Sequence, residues 1–124
     1  MYTAIAVAGA GYWAENYLKT WTRCRDENPA SMAGVDLLIA GSVPNYCFKG
    51  SARLAEAYGF ETVSWEAIIN NQNIKGIVIA TDASTHASIA HAALTAGKHV
   101  LCEKPVTLFW TNCYCCNRPQ TPLP

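Results

Sequence analysis

The chain has 124 residues, 51% of them hydrophobic, and its nine basic and nine acidic side chains balance to a formal net charge of zero. That length suits one domain with a core of its own, and basic residues scattered singly argue against a nucleic-acid partner. No apolar run approaches the roughly 18 residues of a membrane span, and no basic start with a small-residue cleavage site opens the chain, so a cytoplasmic setting is expected.

In chain order, the apolar run at residues 5–8, stopped by Gly9, reads as a strand. Trp13, Tyr17 and Trp21 then recur four apart with Ala14 and Leu18 beside them, the spacing of an amphipathic helix. Asn28, Pro29 and Gly34 end that helix, and residues 37–40 form a second strand closing at Gly41-Ser42. After Pro44 a helix is expected to end at Tyr58, with Gly59 taking the left-handed position beyond it. A short strand at 61–63 precedes Ser64, a suitable cap for one or two helical turns through Ile69. Gly76 opens the run at 77–80, Ser84 is expected to cap a helix bearing Ile89, Ala90, Ala93 and Leu94, and Gly97 separates it from a last strand at 100–102. Strands apolar along their whole length and alternating with helices predict a doubly wound α/β fold. Its parallel sheet is covered on both faces and wound with right-handed crossovers.

This unit is expected to occupy residues 1–108. Residues 109–124 carry no helical or strand period, three closely spaced cysteines and three prolines among the last six positions, and read as an irregular tail. Cys113, Cys115 and Cys116 lack a second ligand group at structural-zinc spacing, so no metal site is expected. Cys24, Cys47 and Cys102 sit singly, without a disulfide framework, which agrees with a reducing compartment.

Three constellations carry chemistry. Gly9-Ala10-Gly11-Tyr12-Trp13-Ala14 is a G-x-G-x-x-A between the first strand and the first helix. Gly9 permits the sharp turn, Gly11 lets the backbone approach a diphosphate, and Ala14 lets the helix pack closely on the sheet, while the helix N-terminus offers N–H groups to the phosphates. The motif alone does not separate NAD from FAD or another nucleotide-bearing cofactor.

The second strand ends without the carboxylate that usually binds a ribose 2′-hydroxyl. Ser42, with Lys49 or Arg53 near it in sequence, would instead accept a 2′-phosphate, so NADP is expected to be preferred over NAD. Asp36 does not replace the missing acid, since it begins the strand at the edge away from the crevice.

The third constellation is Cys102-Glu103-Lys104-Pro105, preceded by residues 96–101, AGKHVL. With AVAGAGYWA at the start and VIATDASTHASIAHAAL between, AGKHVLCEKP resembles the Gfo/Idh/MocA family, the glucose-fructose oxidoreductase and inositol dehydrogenase group, over residues 4–108. The resemblance implies a Rossmann domain binding NAD or NADP, with Lys104 as the catalytic lysine that binds the reacting hydroxyl and assists proton transfer. Glu103 then orients Lys104 or binds the nicotinamide-side ribose, and Pro105 fixes the chain direction, with a cis peptide allowed. Thr81 and His86 match the family's Thr-Pro-x-x-x-His in the loop over the nicotinamide, whereas Asp82 replaces its proline and puts a carboxylate near the phosphates. Taken alone, His86 reads as a structural histidine at a helix start.

The resemblance also implies a second α/β domain that covers the nicotinamide and supplies the rest of the catalytic set and the substrate pocket. Because the pattern fails from Phe109, the chain is expected to be truncated, impaired in catalysis, and prone to self-association through an uncovered crevice. The function expected is hydride transfer between nicotinamide and a small-molecule substrate, a sugar, polyol or similar alcohol. A non-catalytic NAD(P)-binding sensor or interaction module is the alternative. A methyltransferase using S-adenosylmethionine is disfavoured by Ser42 and by the lysine-proline segment.

Overall fold

The computed structural model describes residues 2–44 and 46–108. Their elements run β1 (Thr3–Ala8), α1 (Tyr12–Glu27), β2 (Val35–Ala40), β3 (Ser42–Val43), β4 (Tyr46–Cys47), α2 (Ser51–Tyr58), β5 (Glu61–Val63), α3 (Trp65–Asn70), β6 (Ile74–Ile79), α4 (Ala83–Thr95) and β7 (His99–Cys102). The expected tail, with Cys113, Cys115 and Cys116, lies outside the described residues.

Five strands form one sheet in the order β5-β2-β1-β6-β7, every pair parallel. The chain winds outward from β1 through β2 to β5, then returns to the other side of β1 and continues through β6 to β7. Order therefore reverses between β1 and β6, and the crevice at their carboxyl ends is where such sheets bind ligands. Alternation along the strands divides the core. Val7, Leu37, Ile39 and Val78 meet Ala14, Leu18 and Leu54 of α1 and α2 on one face. Ala6, Ala8, Ile77 and Ile79 meet Ile68, Ile89 and Ala93 of α3 and α4 on the other. The expected doubly wound α/β fold is present.

Three local departures have physical causes. β6 begins at Ile74, before Gly76, because Lys98 anchors its start from beneath: the buried ammonium donates to the carbonyls of Asn71 and Ile74, each at 2.8 Å. The cap of α4 is Asp82 rather than Ser84, since Thr85 donates both its N–H and its hydroxyl to the Asp82 carbonyl and so closes the first turn two residues earlier than expected. Between β2 and α2 the chain forms the antiparallel β3–β4 hairpin, too short to leave an alternation in sequence. Among the described residues no helix is long and apolar enough to cross a membrane.

Candidate functional site

The loop from β1 to α1 sits at the reversal point of the sheet. Gly9 has φ of 127°, and a Cβ there would lie 2.4 Å from the carbonyl oxygen of Ala80 at the end of β6. Only glycine lets β1 and β6 stay this close while the chain turns away. Gly11 is the N-cap of α1 in an extended conformation, with no side chain capping the helix, and a Cβ placed on it would meet nothing within 4 Å. The first-turn N–H groups therefore open onto unfilled space, a cradle for an anion.

That space is an open cleft of about 450 Å³. Its floor is the Gly9 to Trp13 turn, one wall is Ala80, Thr81 and Asp82, and the other is Val43, Tyr46 and Phe48 of the hairpin region with Lys49 and Gly50. Gly50 begins α2, and a Cβ there would come 2.9 Å from the Cβ of Ala10, so the second helix starts hard against the phosphate turn. The N-termini of α1, α2 and α4 thus converge on one cleft, each contributing partial positive charge.

Of the residues expected in the site, Gly9, Ala10, Gly11, Tyr12, Trp13 and Thr81 all line the cleft. Ser42 does not. Its hydroxyl oxygen accepts from the Trp65 N–H at 3.1 Å, which turns it toward the start of α3, while Lys49 lines the cleft in its place. Asp82, exposed, adds a carboxylate to the rim.

Glu103, Lys104 and Pro105 follow β7 at the same carboxyl edge. The Glu103 N–H donates to the Ile79 carbonyl at 2.9 Å, immediately before Ala80, and the Lys104–Pro105 peptide is cis. β6 alone separates β1 from β7, so the ends of these two strands, from which the glycine turn and the Lys104 segment leave, stand about 10 Å apart, two inter-strand spacings. Lys104 is exposed, and no ion pair joins it to Glu103 among the described residues. The Glu103 carboxylate instead accepts a hydrogen bond from the Tyr17 hydroxyl of α1. Burial, and then this carboxylate, push the Tyr17 hydroxyl up to about 12.

His86 is buried behind the cleft wall, 1% exposed. Its Nδ1 lies 2.7 Å from the Pro105 carbonyl oxygen and its Nε2 lies 3.0 Å from that of Thr81. The sequence reading missed Tyr17, counted there only in an apolar stripe, and Gly50. Neither belongs to a motif, although a tyrosine on a helix face directed at the sheet was a signal that its hydroxyl needs a partner.

Residues 3–115 match the Gfo/Idh/MocA description "Oxidoreductase family, NAD-binding Rossmann fold". The levoglucosan dehydrogenase of Pseudarthrobacter phenanthrenivorans is 41% identical over 80 residues, covering 63% of this chain and 20% of that protein. The inositol 2-dehydrogenase/D-chiro-inositol 3-dehydrogenase of Lactiplantibacillus plantarum is 28% identical over 116 residues, 90% of this chain and 30% of that protein. Among solved structures, a levoglucosan dehydrogenase in complex with NADH and levoglucosan superposes with a TM-score of 0.74 at 28% identity, covering 94% of this chain and 31% of that one. The chain thus spans about a fifth to a third of the length of these relatives. On its fold, its glycine turn and this match, the chain belongs to the Gfo/Idh/MocA oxidoreductase family, within its NAD-binding Rossmann fold.

Proposed function

We propose that the cleft binds NAD(P) across the carboxyl ends of β1, β6 and β7, and that the chain serves hydride transfer between nicotinamide and a sugar, polyol or similar alcohol. The observation that carries this reading is the empty space above Gly11 at an uncapped helix N-terminus. Gly9, Ala10, Gly11, Tyr12 and Trp13 hold the diphosphate, and Thr81 borders the cofactor from the β6 side. Glu103, oriented by Tyr17, meets the nicotinamide-side ribose. Lys104 is the catalytic residue: its ammonium binds the reacting hydroxyl and takes part in moving its proton, with Pro105 setting its backbone. Bound there, the nicotinamide supplies the hydride acceptor or donor. The dehydrogenase relatives named for levoglucosan and inositol support this substrate class.

Gly11→Ala tests the diphosphate site. A methyl group at Gly11 meets no protein atom, so the folded state should lose no more than about 1 kcal/mol from the poorer cap. Affinity for NADH, measured by fluorescence titration, should fall at least about tenfold because the methyl enters the space assigned to the diphosphate. Unchanged affinity would refute the assignment.

The NADP preference also belongs to this proposal, with Lys49 as its cationic residue and Ser42 turned away. A biliverdin reductase from Synechocystis sp. PCC 6803 in complex with biliverdin and NADP+ superposes with a TM-score of 0.67 at 29% identity, covering 89% of this chain and 32% of that one, while the levoglucosan dehydrogenase complex holds NADH. Lys49→Gln should weaken NADP by about tenfold and leave NAD unchanged. Equal affinity of the wild-type protein for both would dismiss the preference. We also propose that the exposed aromatic rim of Tyr12, Trp13 and Tyr46 promotes self-association, against which a monomeric light-scattering profile would count.

A further inference from the structure

We propose that His86 is a positioning residue for the nicotinamide-side half of the cleft, joining the loop after β6 to the Lys104–Pro105 segment and so setting where Lys104 stands. This rests on the reading of the cleft as a dinucleotide site. Both partners of the ring are backbone carbonyls, at 2.7 Å from Nδ1 and 3.0 Å from Nε2; carbonyl oxygens only accept and a neutral imidazole carries a single N–H, so the ring donates to one loop, the closer approach being to Pro105, and packs its other nitrogen against the second. Of the two carbonyls, that of Thr81 belongs to the cleft wall; the other follows Lys104 directly.

The ring is 1% exposed, and α4 fixes it near its N-terminal end, four residues after Asp82. Thr85, one residue earlier, gives its O–H to the Asp82 carbonyl and its oxygen accepts from the Thr81 hydroxyl at 2.7 Å, so the same helical turn holds the Thr81 loop beside the ring. The Pro105 carbonyl has no such second hold from α4 among the described hydrogen bonds. The backbone after β7 is tied to the sheet at the Glu103 N–H, and the His86 contact at Pro105 holds it again one residue past the exposed Lys104. A buried ring that touches neither cofactor space nor solvent can still decide the course of a segment that does.

Substitutions can separate the two arms. The amide nitrogen of an asparagine reaches the position of Nδ1, and that of a glutamine the position of Nε2. His86→Asn therefore keeps the arm to Pro105, His86→Gln keeps the arm to Thr81, and His86→Leu keeps neither. The measurement is the affinity of the full chain for NADH and for ADP-ribose, which lacks the nicotinamide, with thermal unfolding followed in parallel. His86→Leu should bind NADH about tenfold more weakly, the loss expected when a buried hydrogen-bonded contact is removed, and should bind ADP-ribose as the wild type does. His86→Asn should recover most of the NADH affinity, and His86→Gln less.

Equal weakening of both ligands would make His86 a purely structural residue and overturn the proposal, as would NADH affinity untouched in His86→Leu. If His86→Leu does not fold, the order of Asn above Gln decides, and the reverse order overturns the proposal. Wild-type protein that binds neither ligand would refute the cleft reading itself, an outcome distinct from binding that His86 does not influence.

Discussion

Glu103 is fixed by a partner 86 positions away in sequence, the Tyr17 hydroxyl on the helix that follows the phosphate turn. The pair ties the two ends of the proposed cofactor site through one hydrogen bond, so its loss should be felt at both. Tyr17→Phe should destabilise the fold by about 1 kcal/mol in urea unfolding at neutral pH, the net worth of a part-buried hydrogen bond. It should also change the pH response. Tyr17 holds its proton more tightly in the folded chain, pushed up from 10.0 to about 12 by burial and by Glu103. Its stabilising contribution is therefore complete below pH 10 and is lost as pH rises through about 12. The wild type should lose stability over that interval more steeply than Tyr17→Phe, by an amount reduced because the side chain is only part-buried. Parallel curves for the two proteins would show that the hydroxyl is not held as described.

At the scale of elements, the glycine turns show why much of the fold is legible before any coordinates. Gly9 and Gly59 both adopt positive φ, at 127° and 72°; the sharp turn at Gly9 and the left-handed position of Gly59 are each expected from the run that stops there. Their costs on substitution should differ. Gly59→Ala meets nothing within 4 Å and pays only for the left-handed conformation, about 1 kcal/mol. Gly9→Ala adds a clash at 2.4 Å with the Ala80 carbonyl and should cost about 2–5 kcal/mol. Comparable melting temperatures for the two variants would contradict this. Strands, helices and the phosphate turn were readable because each follows a local rule of period or backbone conformation. The β3–β4 hairpin was not, since two residues per strand carry no period, and neither was the orientation of Ser42, which is decided by the Trp65 N–H 23 positions later. His86 shows the same division: its place at the start of α4 is local, but its two carbonyl partners come from loops that only the tertiary fold brings together.

For the whole molecule, the cleft is built by every layer at once. Its floor follows the central strand, its walls come from β6 and the hairpin region, and three helices point their N-termini into it. A ligand that fills it therefore binds only the assembled fold and must stabilise it by mass action. At a free concentration 100 times its dissociation constant, a dinucleotide should add about 2.7 kcal/mol to the unfolding free energy. For a folded unit of this size, each kcal/mol raises the melting temperature by about 4–8 °C, so saturating NADH or NADPH should lift it by about 10–20 °C. The charge balance sharpens the expectation. The helix termini attract the phosphates while Asp82 on the rim repels them, so Asp82→Asn should enlarge the shift at a fixed subsaturating ligand concentration and Gly11→Ala should abolish most of it. Melting temperatures insensitive to both dinucleotides at millimolar concentration would mean that this convergence of helices and glycines is a packing solution alone.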